Sequence, residues 1–408
     1  MEQLEQLVKL LEQLEQLGKL VTGQGGPSLL VLQPTSFCNL DCSYCYLQHR
    51  DVRARMSHNT LRAIARNILA QCPQNDLPVI VWHGGEPMTL PPDWYAAAFA
   101  LLERESGKTG LRHAMQTNAI GVNADWIALW QKWQVNIGVS LDGPQDLHDA
   151  RRHTRTGAGT HHLVMRGVSR LQAAGVPFHV ISVLTADSLP RADDFYDFYT
   201  GHGLRNVAFN VEEDEGQPGG SSLGGHAAAS AAYAGFLRRF LARCAADPEP
   251  FFCREVDGVL GVLTRPHSQR AENWQTAPFR ILAVAVDGGL STFSPELMGA
   301  QAPAYDDFIF GNVRQGGVAT LLDSPAFHKA YEEISRGVRA CADSCAYFDV
   351  CGGGAPANKY FELGRFDGTQ TLHCSLTRQV TLDVVLDAVE RGQVRHPILK
   401  GGRHDHAC

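Results

Sequence analysis

The chain has 408 residues, 44% hydrophobic and 19% charged, with 36 Lys and Arg against 43 Asp and Glu for a net charge of −7. That balance excludes a strongly basic nucleic-acid binder, and no apolar run reaches the roughly 18 residues that cross a bilayer, so neither nucleic acid nor a membrane is expected as a partner. Eleven cysteines, about 3% of the chain, are far too few for a disulfide scaffold, and the first twenty residues are rich in Glu and Gln rather than shaped as a signal peptide. The expectation is a reduced, cytoplasmic protein that uses its cysteines for metal or chemistry.

Residues 1–20 are an imperfect ten-residue repeat, MEQLEQLVKL then LEQLEQLGKL, with Leu4, Leu7, Leu11 and Leu14 at helical spacing. An amphipathic helix and a glycine linker are predicted over 1–26. Short apolar runs predict strands at 29–33, 79–82, 112–117, 135–140, 178–184 and 206–211. Helical periodicity falls between them, near 60–72, 93–105, 124–133, 163–174 and 192–199. Six alternating βα units predict an α/β fold over 27–225, a parallel sheet curled as a partial (β/α)6 barrel. The stretch 216–225, GQPGGSSLGG, reads as a linker, and an Ala-rich helix opens a helical bridge over 226–274. The alternation then stops, and a smaller α+β domain is expected over 275–395, ending in an amphipathic helix near 381–391. The tail 396–408 holds His404, Asp405, His406 and Cys408, and a polar terminus of this kind is expected to be mobile.

The first predicted strand runs into QPTSFCNLDCSYCY, which places Cys38, Cys42 and Cys45 within eight residues. Structural zinc draws four ligands, and this loop offers three with no fourth nearby. A cubane iron–sulfur cluster takes one thiolate per iron, so three cysteines leave one iron open for a ligand. Working residues of such barrels gather at the carboxyl ends of the strands. Those ends read His83-Gly84-Gly85-Glu86-Pro87, then Gln116-Thr117-Asn118, then Ser140-Leu141-Asp142-Gly143, then Asn210, Glu212 and Glu213. Gly84 and Gly85 allow close backbone approach to a ligand, and Glu86 can pair with an ammonium. The basic run HDARRHTR contains Arg152 and Arg155, and its bland reading is a solvated loop.

CxxxCxxC with Tyr44 before the last cysteine, followed by GGEP, resembles the signature of the radical S-adenosylmethionine (SAM) superfamily. The resemblance implies a 4Fe–4S cluster on Cys38, Cys42 and Cys45 whose open iron binds SAM, reductive cleavage of SAM to a 5′-deoxyadenosyl radical, and an external one-electron donor of flavodoxin or ferredoxin type. It implies SAM contacts from Gly84, Gly85, Glu86, Gln116 and Ser140, with Arg152 for the methionine carboxylate and Arg155 as its rival.

A second group, Cys341, Cys345, Cys351 and Cys374, supplies four thiols, enough to saturate a cluster with no open site; structural zinc is the alternative on spacing alone. The block CADSCAYFDVC is similar to the SPASM extension of radical SAM peptide maturases, although its first spacing is one residue longer. SPASM domains with two auxiliary clusters carry further cysteines where this chain has Phe293 and Ala355. One auxiliary cluster, and two 4Fe–4S clusters in all, is therefore expected. Ser294 stands where sulfatase maturases carry an aspartate, which argues against formylglycine formation.

FNVEEDEG, STFSPELMG, GNV and CGGGAPANKYFE resemble the cyclophane-forming radical SAM/SPASM maturases of ribosomally made peptides. The resemblance implies a precursor-peptide substrate and a bond between an aromatic ring carbon and a β-carbon. Glu212, Glu213 and Glu296 are the candidates to accept the proton that must leave. Cys72, Cys244 and Cys253 have no assigned role.

Overall fold

In the computed structural model, residues 26–215 and 220–394 are described; the predicted N-terminal helix, the start of the glycine-rich linker and the polar tail lie outside them. Six strands, β1 (Leu29–Leu32), β2 (Val79–Trp82), β3 (Arg112–Thr117), β4 (Asn136–Ser140), β5 (Phe178–Leu184) and β6 (Asn206–Val211), lie side by side in chain order, every pair parallel. A doubly wound sheet reverses its strand order at a switch point. This one does not, so successive crossovers pack on one side, as in a barrel.

The connecting helices start and stop where the sequence supplies caps. Ser57 accepts from Thr60 N at the start of His58–Asn67, and Asn123 accepts from Asp125 and Trp126 N at the start of Ala124–Trp133. Gly107 ends Pro92–Ser106 in the left-handed conformation, which glycine adopts without a Cβ clash. Between helices and sheet lies an aromatic core in which Trp82, Tyr95, Phe99, Trp130, Phe195, Tyr199, Phe209, Phe236 and Phe240 are fully buried.

One feature departs from the sequence reading, and one bland alternative fails. The sheet does not end at residue 225. Strand β7 (Phe252–Cys253), within the expected helical bridge, pairs with β6, while β8 (Ile281–Val284), β9 (Gly289–Thr292) and β10 (Gly311–Asn312) continue the sheet outward from β1. An open barrel leaves β1 and β6 with unpaired edges, and segments from later in the chain cover both. The basic run around Arg152 is also not a solvated loop. Gln145–Arg151 is helical, and His148 beneath it is completely buried. His148 Nδ1 accepts from the backbone N–H of Asp142 and its Nε2 meets Thr160 Oγ1 at 3.1 Å, so a local bond network pulls a charged-looking segment inward.

Candidate active site

At the carboxyl ends of the strands, Cys38, Cys42 and Cys45 line one cavity of about 190 Å³ together with Gly85, Glu86, Gln116, Ser140, Arg152, Glu212 and Glu213. Gly84 is not part of that lining. The cavity is built by two loops stitched together. Glu86 N–H donates to Phe37 O at 2.8 Å, and Cys38 N–H donates to Arg50 O. Gly85 has φ +64°, and a Cβ there would stand 2.6 Å from the carbonyl oxygens of both Phe37 and Thr35, so only glycine lets the GGEP loop lie against the cysteine loop.

Glu86 is almost fully buried. Its Oε1 accepts from Thr117 Oγ1 (2.6 Å) and Met88 N (2.9 Å), and its Oε2 accepts from Asn118 N (2.8 Å). Burial raises its carboxyl above the usual range against the pull of those bonds. These partners are all neutral donors, so an ammonium entering the cavity would complete the electrostatics of the site. Gln116 Nε2 donates to Ser140 Oγ at 2.9 Å; Gly138 makes this possible, because a Cβ there would overlap the Gln116 side chain.

Arg152 is buried, and Asp142 takes two of its nitrogens, Nε to Oδ2 at 2.8 Å and Nη2 to Oδ1 at 3.0 Å. Tyr44 of the cysteine loop donates to the same Asp142 Oδ2 at 2.5 Å and lies under the guanidinium, 5.3 Å from its carbon. Asp142 takes two of the five guanidinium N–H groups and balances the charge, so Arg152 serves the cavity first as a fixed charge beside Cys42. Arg155 is exposed and contacts Cys38 O at 3.3 Å. Asp142 and His148 are positioning residues that the sequence did not single out, although SLDG at a strand end carries the signal.

The carboxylates divide. Glu212 is held by Ser222, whose N–H donates to Oε2 at 2.8 Å and whose hydroxyl donates to the same oxygen. Glu213 lies 3.3 Å from His373 Nδ1 and accepts from Asn358 Nδ2 at 2.5 Å. Burial pushes Glu213 up, but His373 and these bonds hold it below the usual carboxylate range. Glu215, which the sequence reading passed over within FNVEEDEG, also lines the cavity, and burial with the charges of Glu213 and Glu296 raises it well above that range. Glu296 sits in the short turn Pro295–Leu297 after β9; burial, with Glu213 adding, brings it to about 7.

A second cavity, also about 190 Å³, is lined by Cys341, Cys345, Cys351 and Cys374. Three consecutive glycines with positive φ, Gly352, Gly353 and Gly354, follow Cys351, the last two lining the cavity, and Asn273 Nδ2 donates to Cys351 O and Gly354 O at 3.1 and 2.8 Å. Phe293 and Ala355 are buried, and Phe293 stacks on Phe327 and Tyr331 at 6.0 and 6.4 Å. Cys253 contacts Glu255 at 3.3 Å.

Among the described residues no three Cys, His, Asp or Glu side chains stand close enough to hold a single metal ion. The donor sets suit a larger group: three thiols line the first cavity and four line the second. Burial pushes Cys38 to about 12 and Cys42 to about 11, so these thiols become thiolates at neutral pH only on a metal.

Comparison with known proteins agrees with this chemistry. The profile of the radical SAM superfamily matches residues 32–199. An uncharacterized protein of Synechocystis sp. is 37% identical over 376 residues, spanning 91% of this chain and 94% of its own length. The serine-type anaerobic sulfatase-maturating enzyme of Bacteroides thetaiotaomicron is 23% identical over 355 residues, 82% of this chain and 84% of its own. In fold, the chain is similar to anSMEcpe with bound AdoMet and Cp18Cys peptide (TM-score 0.73, 17% identity, 90% of this chain and 99% of the other). It is also similar to Streptococcus suis SuiB bound to precursor peptide SuiA (TM-score 0.59, 14% identity, 82% and 73%). The chain therefore belongs to one family with the Synechocystis protein and carries a radical SAM domain over residues 32–199, with SAM and iron–sulfur binding and homology to the anaerobic sulfatase-maturating enzymes.

Proposed function

We propose that this enzyme modifies a ribosomally made precursor peptide by joining an aromatic ring carbon of one residue to the β-carbon of another, a cyclophane. With both groups bound, the Cys38–Cys42–Cys45 site and SAM supply a hydrogen-abstracting radical, and a 4Fe–4S cluster on Cys341, Cys345, Cys351 and Cys374 supplies an electron acceptor. Overall, two C–H bonds are replaced by one C–C bond. One hydrogen atom is abstracted, and one proton and one electron must then leave.

The observation that carries the reading is the link between the two cavities. Glu213, on the wall of the first, lies 3.3 Å from His373, which precedes Cys374 on the wall of the second. On this reading the raised carboxyls of Glu215 and Glu296, coupled to Glu213, offer a proton acceptor beside the proposed electron acceptor, which supports a net oxidation over a redox-neutral epimerisation. Glu296, with its carboxyl near neutrality, is the base of choice, and Glu213 holds it through their shared electrostatics. Glu212 is committed to Ser222 and keeps the loop after β6 in place. A precursor peptide in extended form, a reduced cytoplasmic setting and a flavodoxin- or ferredoxin-type donor go with this reading.

Formylglycine formation on a sulfatase is the second reading, favoured by the relatives. Ser294, with its buried hydroxyl, offers no base at the position where that activity is expected to need one. Tandem mass spectrometry of treated peptide separates the two. A cyclophane gives a loss of two hydrogens and suppresses backbone fragments between the joined residues; free fragmentation across that segment sinks the proposal.

A further inference from the structure

Lys359 is a buried lysine that the reaction as described does not use. It lies on the helix Pro356–Leu363, is 3% exposed, and places Nζ 3.5 Å from Cys341 Sγ. Among the described residues it forms no ion pair with a carboxylate. Asp367, whose backbone packs against the same Gly337, stands 3.7 and 3.4 Å from Arg336 and Arg365 instead. The space for the ammonium is made by glycine: a Cβ on Gly337 would stand 3.1 Å from Nζ, and one on Gly354 would stand 3.5 Å from Cε. A buried ammonium without an anion is strongly unfavourable. The four thiolates around the second cavity are the anion it faces, because a four-cysteine cubane carries net negative charge that grows by one on reduction.

We propose that Lys359 is the fixed counter-charge of the second cysteine site, donating a hydrogen bond to the Cys341 sulfur and raising the reduction potential of the cluster held there. This rests on the reading that the four cysteines bind a 4Fe–4S cluster. Lys359 is a positioning residue, acting through Cys341. A nearby positive charge and a hydrogen bond to a ligand sulfur both favour the reduced state, which readies the site to take the electron released by the substrate.

The test uses the full-length holoenzyme with Lys359→Met, which keeps the shape, and Lys359→Arg, which keeps the charge. A redox titration followed by electron paramagnetic resonance reads the second cluster, with added SAM marking the signal of the first. At the wild-type midpoint, the Met variant should show a reduced-to-oxidised ratio about tenfold lower, ~59 mV for a one-electron couple, with its iron retained. The Arg variant should stay within about twofold of wild type. An unchanged ratio in the Met variant overturns the proposal. If the Met variant loses iron, hyperfine spectroscopy of wild-type protein carrying lysine labelled with nitrogen-15 at the side chain decides. A weak nitrogen coupling to the reduced second cluster supports the assignment, and its absence overturns it. Iron analysis of wild type separates failure of the underlying reading, since a chain with one cluster holds about four irons rather than eight.

Discussion

Asp142 holds Arg152 through two charge-assisted bonds, 2.8 and 3.0 Å, inside the protein and at the wall of the SAM cavity. The same carboxylate accepts from Val183 N at 3.0 Å and from Tyr44 of the cysteine loop, so one side chain ties β4, β5, the helix Gln145–Arg151 and the cluster loop together. Burial pushes its carboxyl up, but Arg152, His148 and Tyr44 outweigh burial and hold it below the usual range. Asp142→Asn leaves the buried guanidinium without its counter-charge. The expected cost is about 3–5 kcal/mol in denaturant unfolding, with weaker SAM binding by equilibrium dialysis. A variant as stable as wild type shows that Arg152 finds its charge balance elsewhere.

Gly85→Ala tests the stitching of the two loops. The new methyl meets two carbonyl oxygens at 2.6 Å, on a residue with φ +64°, and neither oxygen is the end of a flexible side chain. The GGEP loop must move, and Glu86 with it. Loss of SAM binding by more than about tenfold is expected alongside roughly 1–3 kcal/mol of destabilisation, measured by calorimetric titration and thermal unfolding. Gly121→Ala, with a positive φ but no atom within 4 Å of the new methyl, is the control for backbone strain alone.

The parts of the site legible in the sequence were those where local spacing is the chemistry. Cys38, Cys42 and Cys45 are fixed by one loop, and Gly85, Glu86, Gln116 and Ser140 by their places at strand ends, because period-2 and period-3.6 patterns locate those ends well. The parts not legible depend on contacts between distant segments. Glu215 counts only because Glu213 and Glu296 approach it, and Lys359 only because Cys341 does. The continuation of the sheet through β8 to β10 was hidden for the same reason. Two-residue and four-residue strands separated from β1 by some 250 positions carry no local sign of their partner. The helix Gln145–Arg151 was missed because charged residues mask a single buried His148.

Activity should depend on pH through Glu296. Its carboxyl is raised to about 7, and a base must be deprotonated to work, so turnover should climb between roughly pH 6 and 8 and level off above. The stability linkage has the opposite sense. The folded state holds this proton up to about 7 while the unfolded state releases it near the ordinary value of 4.5, so its contribution to stability is full at acid pH and is lost as pH rises through 7. Glu296→Gln should remove that ionisation from both profiles and slow product formation by about 10²–10⁴. SAM cleavage to 5′-deoxyadenosine should continue, because Glu296 lies outside the lining of the SAM cavity. A Gln variant that keeps the same pH profile assigns the proton to Glu215 instead.

Aromatic packing bears on the proposed number of clusters. Phe293, with φ +76°, stacks in parallel with Phe327 and Tyr331, and Phe279 stacks on Phe327 at 5.3 Å. Phe293 and Ala355, the positions at which the SPASM resemblance puts a further cluster's cysteines, are both buried and carry no thiol, which supports the proposed count of two. Wild-type protein should therefore hold about eight irons, and Cys345→Ala with Cys374→Ala about four while still cleaving SAM. Changing Cys38, Cys42 and Cys45 to Ala should also leave about four, but with no SAM cleavage at all. Phe293→Cys restores a thiol without the space for a cluster. It should add no iron and should destabilise the fold by roughly 2–5 kcal/mol, because a large buried ring is lost. About twelve irons in either wild type or Phe293→Cys would overturn the count of two clusters.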